Sequence, residues 1–532
     1  MADQTRPLGA QISHMLKDRG VDVIFGIPGV HNQEMYRGIE EAGITHVLAR
    51  HEQGAGFMAD GYARATGRPG VAYVITGPGV CNIMTPMGQA YSDSVPMLVI
   101  SSCLDETAAR RGQLHQMKDQ EIAAGTVCDW SETAHSAEAA YSLIDRALGE
   151  FDVNRPRSKH IQVPIAQLEA SAPPPPSPFP APTGVPVADT AVGNASDWVG
   201  MLSQARRPLL IFGGGAVGAA APARMLMKRT GAAAFTTYAG RGILPANEPL
   251  NFGSYLARPD SVSILEKADL IIAVGTELAE VDLWRAHLGH NCPMIRVDID
   301  PTVLRDQQRA DVQVAARANG FLEGLLEAMP EDMSHDWTAA EVAAARSKWH
   351  AEVEAEYASI PTIAETLRDC LPEGTMIYSD MTQFAYAAKE VWDMDSPRHW
   401  HHPYGFGTLG YALPAAIGGA IGRPGKPTMA IMGDYGFHYT MQELGVAVEL
   451  GLSIPIILWD NGKLGAIEAS MVGAQIAPNA VIARNPDFVK LAEAFGAQAV
   501  APQTLADMQD FVRAAFDADG PTLIYLTPDI TG

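Results

Sequence analysis

The stretch 431-IMGDYGFHYTMQELGVAVELGLSIPIILWDN-461 decides the fold class of this chain. Residues 427–432, which lead into it, form a short apolar run and predict a buried strand, and residues 455–459 predict a second one. Between them, residues 440–450 have the apolar spacing of a helix. The stretch is therefore predicted to be a βαβ unit of a parallel sheet.

An acidic and an amide side chain stand at the ends of these two strands. Asp434 follows the first strand and Asn461 the second, at the edge where open α/β sheets bind ligands. Mg2+ prefers such oxygen ligands and shares them with phosphate oxygens, and the predicted turn 433–436 offers backbone N–H groups to a diphosphate. Each residue alone also fits an ordinary acidic turn or Asn cap, so the prediction of a metal site rests on the pair.

The same stretch resembles the diphosphate-binding motif of thiamine diphosphate (ThDP) enzymes, which runs from Gly-Asp-Gly to Asn-Asn. The resemblance implies Mg2+ ligands at Asp434, Asn461 and the backbone carbonyl of Lys463, and cofactor contacts at Gly433, Asp434, Tyr435, Gly436 and Asn461. The sequence departs from the motif twice. Tyr435 stands where a second Gly is usual, and Asp460 stands where the first Asn is usual.

Composition narrows the class of protein. The chain has 532 residues and a net charge of −23, which argues against nucleic acid and anionic membranes as partners. Its five cysteines are scattered without a CxxC pair, and its N-terminus lacks the basic and apolar regions of a signal peptide. Every apolar run is interrupted well short of a membrane span. We expect a cytoplasmic protein with reduced thiols.

Strand-like runs followed by helix-like segments recur along the chain. Ten runs have this character: 71-VAYVIT, 96-PMLVISS, 160-HIQVP, 208-PLLIFGGG, 269-DLIIAVG, 293-PMIRVDID, 374-GTMIYSD, 427-PTMAIM, 455-PIILW and 522-PTLIYL. Their alternation with helices predicts an α/β fold of three doubly wound parallel-sheet domains. The predicted boundaries are 1–170 for the first domain, 171–186 for a proline-rich linker, 187–345 for the central domain and 346–532 for the third.

The first domain contains 50-RHEQGAGFMADGYARATGRPGV, in which residues 51–65 have helical spacing. Its glycines allow close approach of a neighbouring backbone. Glu52 begins this helix among apolar and glycine residues, where a carboxyl group suits proton transfer. It also fits a first-turn Glu favoured by the helix dipole. The run is similar to the pyrimidine-binding motif of acetolactate synthase-like ThDP enzymes, which implies that Glu52 binds the aminopyrimidine and promotes its imino form.

Loops of the first domain carry further polar candidates. The runs 25-FGIPGVHNQEMYRG, 76-TGPGVCN and 90-AYSDSVP resemble conserved turns of the same family. In 113-QLHQM, Gln116 stands where acetolactate synthases have Gln and simple 2-oxo acid decarboxylases have His. The resemblance implies that His115 and Gln116 are catalytic, and His31 is a further candidate polar group that would face the substrate. A lone His is otherwise as often structural or solvent-facing.

The central domain contains 213-GGGAVG after a strand, which matches the GxGxxG pattern of dinucleotide-binding folds. Residues 219–247 hold no Asp or Glu to bind a ribose, so NAD and a dehydrogenase are not expected, and the glycines are predicted to serve tight packing. The resemblance through 240-GRGILPANEPLNFG implies an FAD site here. The next residues, 253–261, lack the family's Gly-Met-His-Gly sequence, which argues against FAD.

The third domain adds contacts to the cofactor. By resemblance, Gln383 in 379-SDMTQFAY binds the diphosphate. In 405-GFGTLGYALPAAIGGAI, the backbone carbonyl of Gly407 accepts a hydrogen bond from the 4′-amino group of ThDP, and Leu409 is the apolar side chain that holds ThDP in its bent conformation. Glu468, in 462-GKLGAIEASM, borders the substrate pocket. It would meet a cationic substrate or act as an acid, and it also fits an exposed helix Glu.

The resemblance covers nearly the whole chain, from about residue 8 to 528. It implies a ThDP- and Mg2+-dependent enzyme that decarboxylates a small-molecule 2-oxo acid, and the expected branch includes 5-guanidino-2-oxopentanoate decarboxylases. One alternative is acetolactate synthase, which joins two pyruvates. Another is a non-catalytic relative that binds ThDP, although the presence of Glu52 argues against it. The family's active sites lie between subunits, so a homodimer or homotetramer is expected.

Overall fold

The computed structural model describes residues 5–106, 111–178, 195–331 and 333–531. They form three parallel α/β sheets of the doubly wound kind, as predicted. Two compact units contain these sheets. The first unit holds the described residues up to 178 together with 375–382 and 402–531, and the second holds 195–374 and 383–401. The first sheet and the five parallel strands of the third thus belong to one unit, and the central sheet belongs to the other.

The first sheet is built from apolar runs that are buried along their length, such as MLVISSC and GVAYV. Its strands are β2 (Val23–Gly26), β3 (Thr45–Leu48), β4 (Gly70–Val74), β5 (Met97–Cys103), β6 (Ser131–Thr133) and β7 (Lys159–Pro164). Two short strands beside it in the chain, β1 (Arg6–Pro7) and β8 (Ser171–Ala172), form a separate two-stranded sheet. Its helices are α1 (Leu8–Asp18), α2 (Gln33–Ala42), α3 (Glu52–Thr66), α4 (Pro78–Ser92), α5 (Gln120–Gly125), α6 (Ala137–Val153) and α7 (Ile165–Glu169). The parallel strands run in the order β3-β2-β4-β5-β7-β6, and β1 pairs antiparallel with β8.

The central sheet has five parallel strands in the order β10-β9-β11-β12-β13. They are β9 (Pro208–Phe212), β10 (Ala233–Thr236), β11 (Leu270–Val274), β12 (Met294–Asp298) and β13 (Val312–Ala315). The helices here are α8 (Ala195–Gln204), α9 (Ala220–Thr230), α10 (Val262–Leu265), α11 (Glu280–Leu283), α12 (Ala318–Ala328), α13 (Ala339–Tyr357) and α14 (Ile360–Arg368). The predicted boundary near residue 345 lies inside α13, and residues 179–186 of the predicted linker lie outside the described residues. The domain boundaries therefore stay predictions.

The third sheet carries the stretch quoted first. Its strands are β14 (Met376–Ser379), β15 (Trp400–His401), β16 (Thr428–Gly433), β17 (Pro455–Trp459), β18 (Gln498–Val500) and β19 (Thr522–Leu526). The helices that follow β14 in the chain are α15 (Gln383–Val391), α16 (Ala412–Gly422), α17 (Asp434–Thr440), α18 (Leu444–Glu449), α19 (Gly465–Gly473), α20 (Phe488–Phe495) and α21 (Leu505–Phe516). Five parallel strands follow the order β14-β16-β17-β19-β18.

The predicted turn at 433–436 is wrong in detail. Helix α17 begins directly at Asp434, with extended Gly433 as its N-cap residue, and continues to Thr440. A 3-10 turn, Met441–Glu443, and α18 follow in place of one continuous helix. Because Tyr435 lies in the first turn of a helix, it needs no left-handed backbone, which removes the steric objection to a side chain at that position.

Helices α3 and α16 pack against each other through glycines. A Cβ at Gly61 would overlap the Ala415 carbonyl oxygen, and a Cβ at Gly418 would overlap the Met58 carbonyl oxygen. The two backbones therefore touch at reciprocal positions, and the predicted role of the α3 glycines in close approach is confirmed. This contact fixes the helix that begins at Glu52 against the helix that follows the 405–411 run.

All ten predicted strand runs are strands in the structure. The predicted helix at 51–65 is α3, which begins at Glu52 with His51 as its N-cap residue. Among the described residues, no helix combines the length and the apolar character needed to cross a membrane.

Candidate active site

Glu52 is buried at the first position of α3. The extended backbone of His51 ends the preceding segment, and its ring Nδ1 accepts a hydrogen bond from the Gln53 N–H at 3.0 Å. Asn82 Nδ2 donates to Glu52 Oε2 at 2.9 Å. The other oxygen, Oε1, lies beside Gly79, where a Cβ would sit 3.4 Å away. One oxygen of the carboxylate is therefore held, and the other lies beside a glycine in the first turn of α4.

A second buried carboxyl group supports the start of this helix. The carboxylate of Glu443 accepts the backbone N–H of Arg50 at 3.1 and 3.2 Å. A Cβ atom at Gly54 would overlap the Oε1 atom of Glu443, so α3 can lie this close to the carboxylate only because residue 54 is glycine. Burial raises the pKa of Glu443 to about 7, although the backbone N–H groups of Arg50 and His51 act in the opposite direction.

His31 and His115 come together although 83 residues separate them in the sequence. Their ring centroids are 4.8 Å apart in an edge-on arrangement. Within the described part of the chain, the Nδ1 atoms of both rings are buried without a hydrogen-bond partner. Burial lowers the pKa of His31, and the neighbouring His115 adds to that effect. Gln116 Oε1 instead accepts the Gln113 N–H at 3.2 Å, within its own loop.

Two carboxylates meet at the carboxyl edge of the third sheet. Asn485 Nδ2 donates to Asp434 Oδ2 and to Asp460 Oδ1, both at 2.8 Å. Tyr525 donates its hydroxyl to Asp460 Oδ2 at 2.9 Å. Burial raises the pKa of Asp434. Asp434 and Asp460 therefore face one common donor, which is an arrangement that suits a cation.

The remaining expected metal ligands follow Asp460 directly in the chain. Asn461 Oδ1 accepts the Lys463 N–H at 3.2 Å, which closes a tight turn. An Asp carboxylate, an Asn amide oxygen and a backbone carbonyl form the hard oxygen set that Mg2+ prefers. The residues present therefore fit a magnesium ion beside a diphosphate.

Lys463 also links this turn to the candidate substrate residue. Its Nζ atom donates to Glu468 Oε2 at 2.6 Å, and Glu468 lies in the first turn of α19. The side chain of Glu468 is about a quarter exposed. The expectation of an exposed helix Glu is therefore incomplete, because this carboxylate has an ionic partner.

The run 405–411 forms a turn whose centre is open. Gly407 has a left-handed backbone with φ of 66°, and a Cβ there would meet only the Met381 methyl group, at 3.6 Å. The Gly410 N–H donates to Asp380 Oδ2 at 2.8 Å. Burial raises the pKa of Asp380 to about 7. Leu409 is half-buried in this turn, and Gln383 begins α15.

Sequence reasoning missed several partners in these groups. Asn82, Glu443, Asn485 and Tyr525 were not singled out, and Asp460 was noted only as a departure from a motif. Asn82 falls in the quoted run 76-TGPGVCN, so its proximity to a helix N-terminus was the one available signal. Asn485 lies 51 residues after Asp434, and nothing local indicates its contact.

Comparison with protein families gives three matches in the order of the three sheets. Residues 6–122 match the N-terminal thiamine pyrophosphate-binding domain of thiamine pyrophosphate enzymes. Residues 196–325 match their central domain, and residues 380–526 match their C-terminal thiamine pyrophosphate-binding domain. The matched segments contain the residues assembled above around Glu52 and Asp434.

Curated relatives match almost the full length. A probable 2-ketoarginine decarboxylase of Pseudomonas aeruginosa is 42% identical, over 98% of this chain and 94% of its own. The large subunit of acetolactate synthase isozyme 2 of Escherichia coli is 28% identical over 98% and 95%, respectively. An acetolactate synthase of Mycobacterium avium is 29% identical over 95% and 85%. This chain belongs to the thiamine pyrophosphate enzyme family.

Proposed function

We propose that this enzyme decarboxylates 5-guanidino-2-oxopentanoate, the 2-oxo acid of arginine, with bound ThDP and Mg2+. The observation that carries the proposal is the 42% identity, over nearly both full lengths, to a probable 2-ketoarginine decarboxylase. The general class, a ThDP-dependent 2-oxo acid decarboxylase or carboligase, follows from the family. The choice of a cationic substrate is the further step, and Glu468 supports it.

Bound ThDP supplies a thiazolium ring that accepts the electrons of the broken carbon–carbon bond when CO2 leaves. Glu52 would hold a proton at Oε1, facing the aminopyrimidine, while Asn82 keeps Oε2 in place. The Gly407 carbonyl would accept the amino group, and Leu409 would support the bent cofactor. Gly433, Tyr435 and Gly436 would surround the diphosphate.

The metal would bind at Asp434, Asn461 and the carbonyl of Lys463. Asp460 sits close enough to share a donor with Asp434, so it adds negative charge beside the ion. Replacing Asp434 by Asn removes one charge from this edge. We expect weaker Mn2+ binding, measured by electron paramagnetic resonance, and weaker ThDP binding in the same variant.

His31, His115 and Gln116 would face the reacting 2-oxo acid. The ring centroids of the two imidazoles are 4.8 Å apart, and burial, together with the neighbouring His115, lowers the pKa of His31. Such a pair can bind a carboxylate and later deliver a proton. Replacing His31 by Asn is expected to change the pH profile of kcat/KM.

Glu468 would bind the guanidinium group of the substrate. The carboxylate already pairs with the ammonium of Lys463, and a planar guanidinium is a stronger partner because it makes two parallel hydrogen bonds. Glu468→Gln should raise KM for the guanidino acid by at least about tenfold and leave KM for uncharged 2-oxo acids unchanged. A loss of kcat with every substrate would instead assign Glu468 as an acid.

The decisive experiment measures CO2 release from a panel of 2-oxo acids, with product identification. The panel contains 5-guanidino-2-oxopentanoate, pyruvate and the uncharged 2-oxohexanoate. We expect 4-guanidinobutanal from the guanidino acid. Glu52→Gln should abolish turnover while leaving ThDP binding largely intact, because the variant keeps the side-chain volume and the contact to Asn82. Near-wild-type turnover in that variant would contradict the role of Glu52.

A second candidate function is acetolactate synthesis from two pyruvates. It is supported by Gln116, which stands where acetolactate synthases have Gln, and by relatives at 28–29% identity. Acetolactate as the main product from pyruvate would establish it, and Gln116→His would then be expected to divert the product to acetaldehyde. A protein that binds ThDP and releases no CO2 from any acid would be the non-catalytic relative.

We also propose that the enzyme is a homodimer or homotetramer with active sites between subunits. Large apolar side chains are more than half exposed near the proposed site: Val30, Leu114, Ile467, Val472 and Ile476. These side chains flank His31, His115 and Glu468 in the sequence, which supports a partner subunit at the proposed site. Sedimentation velocity of the loaded enzyme measures the state, and a monomer with full activity would contradict the proposal.

A further inference from the structure

A buried ionic network ends helix α3, far along the helix from Glu52. Arg64 Nε donates to Asp60 Oδ1 at 2.6 Å, and Arg64 Nη2 donates to Asp93 Oδ2 at 2.8 Å. The side chains of Asp60, Arg64 and Asp93 are 0%, 11% and 6% exposed. One guanidinium thus joins two carboxylates inside the protein. We call Asp60, Arg64, Asp93 and Tyr411 the Asp93 network.

Asp93 holds the beginning of the 405–411 turn by its backbone. Its Oδ1 accepts the Gly405 N–H at 2.8 Å, and its Oδ2 accepts the Tyr404 N–H at 3.2 Å. These bonds need no side chain on the turn, so they fix the position of the main chain itself. Burial raises the pKa of Asp93, and Arg64 opposes this rise.

Asp60 holds the other end of the same turn. The Tyr411 hydroxyl donates to Asp60 Oδ1 at 2.7 Å, and Tyr411 is the N-cap residue of α16. Both ends of the turn are therefore tied to one network, and Arg64 makes the two attachments a single unit. Gly407 and Leu409 lie between them. The two attached ends of the turn therefore set the position of the exposed Gly407.

Segment 88–93 supports the turn a second time. Thr408 Oγ1 donates to Gln89 Oε1 at 3.2 Å, and both side chains are buried. A Cβ at Gly88 would lie 2.7 Å from the ring of Phe406, so the ring rests on the α4 backbone. These contacts are made by uncharged groups, whereas the hydrogen bonds of the Asp93 network are charge-assisted. The Asp93 network is thus the principal constraint on the turn.

We propose that Asp93 is a positioning residue for ThDP, acting through the backbone of the 404–411 turn. The inference rests on the proposed role of Gly407 and Leu409 at the aminopyrimidine. A carboxylate that accepts two N–H groups and an ion pair sets where the Gly407 carbonyl points. If that carbonyl moves, it no longer accepts a hydrogen bond from the cofactor's amino group in the right position. Proton removal from the thiazolium C2 then becomes slower even when the cofactor is fully bound.

The test replaces Asp93 by Asn, which keeps the volume but turns one acceptor into a donor facing Arg64 or an N–H group. ThDP affinity is measured by quenching of tryptophan fluorescence, and exchange of the C2 proton of bound ThDP by rapid-quench NMR in D2O. We expect the Kd to rise about tenfold and exchange at saturating ThDP to slow by about tenfold. Neither readout uses a 2-oxo acid.

The matched control is Asp145→Asn. Asp145 also pairs with an arginine, since Arg19 Nη2 donates to its Oδ2 at 2.9 Å, but it lies on α6 and contacts no part of the turn. The control is expected to lower Tm and leave Kd and exchange unchanged. If Asp93→Asn lowers Tm but exchanges the C2 proton at the wild-type rate under saturating ThDP, the residue is structural only and the proposal is overturned.

Arg64→Lys is measured in parallel, because a lysine keeps the charge but cannot reach both carboxylates. Should Asp93→Asn not fold, Arg64→Lys decides the question through the same two readouts, with slower exchange expected and wild-type exchange contradicting the proposal. A wild type that binds ThDP but leaves the guanidino acid unchanged would refute the proposed substrate and not the role of Asp93.

Discussion

Two glycine-rich runs look alike in sequence and differ in the structure. The run 213-GGGAVG follows β9 in the central domain, and 405-GFGTLG precedes α16 in the third. A Cβ at Gly213 would overlap the Gly275 carbonyl oxygen, and Gly215 packs on the same turn. A Cβ at Gly407 would meet only a methyl group, at 3.6 Å, although the residue has φ of 66°. Glycine density alone therefore does not indicate a ligand.

The two runs differ in what occupies the space beside the glycine where a side chain would lie. In the central run, the space that a side chain would occupy at Gly213 is filled by the neighbouring residues Gly275 and Thr276. In the third-domain run, glycine serves the left-handed backbone, and Gly407 itself stays exposed. Four experiments test this comparison.

The largest effect is expected for Gly213→Ala. The new methyl group overlaps main-chain atoms that cannot turn aside, so overpacking should cost about 3 kcal/mol or more. Calorimetry should show an early transition of the central domain, with ThDP affinity unchanged in the folded fraction. Gly324→Ala is the matched control. Nothing lies within 4 Å of a Cβ at Gly324, and alanine favours a helix, so stability should hold or rise slightly.

The next largest effect is expected in the pH dependence of the free energy of unfolding, through Asp380, which accepts a hydrogen bond from the 405–411 turn. Burial raises the pKa of Asp380 from 3.8 to about 7 in the folded protein. Because the folded state then binds the proton more tightly, the free energy of unfolding should fall as pH rises from about 4 to about 7, by about 3 kcal/mol. Asp380→Asn should flatten this part of the curve of Tm against pH, whatever its overall stability. An unchanged slope would show that Asp380 is ionised throughout.

A smaller loss of stability is expected for Gly407→Ala. An alanine in left-handed backbone costs about 1 kcal/mol, and the site has room for the methyl group. The variant should fold, lose less stability than Gly213→Ala and bind ThDP several-fold more weakly, which calorimetry and fluorescence titration would measure. If it proved less stable than Gly213→Ala, the contrast between the two runs would be wrong.

The fourth experiment, addition of FAD, is expected to produce no change in Tm. Adding FAD should leave Tm unchanged, whereas ThDP with Mg2+ should raise Tm, because a ligand that binds only the folded state stabilises it in proportion to the logarithm of its concentration over Kd. A concentration-dependent rise with FAD would show that the central domain binds a flavin despite its departure at residues 253–261. In that case the packing of Gly213 would have to coexist with a nucleotide elsewhere on the sheet edge.

Sequence was sufficient where the physical cause is local. A buried parallel strand is a short apolar run, so all ten predicted runs are strands. The start of α3 at Glu52 follows from the helical spacing after it. The turn predicted at 433–436 failed because glycine favours turns in general, whereas here Gly433 caps a helix in extended backbone and Tyr435 is simply helical.

The remaining features depend on contacts between distant segments. The contact of His31 with His115 and the bridge from Asn485 to Asp434 join residues that no spacing rule connects. The Asp93 network has the same character, since Asp93 and Gly405 are 312 residues apart. Such partners are fixed by how sheets and helices pack, so the sequence indicated which residues carry the chemistry but not which residues hold them in place.

The reciprocal glycine contact between α3 and α16 restricts how this protein can be recombined with its relatives. Each helix can approach the other only because it has a glycine at its own contact point, which is Gly61 on α3 and Gly418 on α16. A chimera that takes its first domain from one relative and its third from another must therefore inherit both helices as a matched pair. Crossovers that separate them should yield insoluble protein, whereas exchange of the central domain alone leaves this contact untouched.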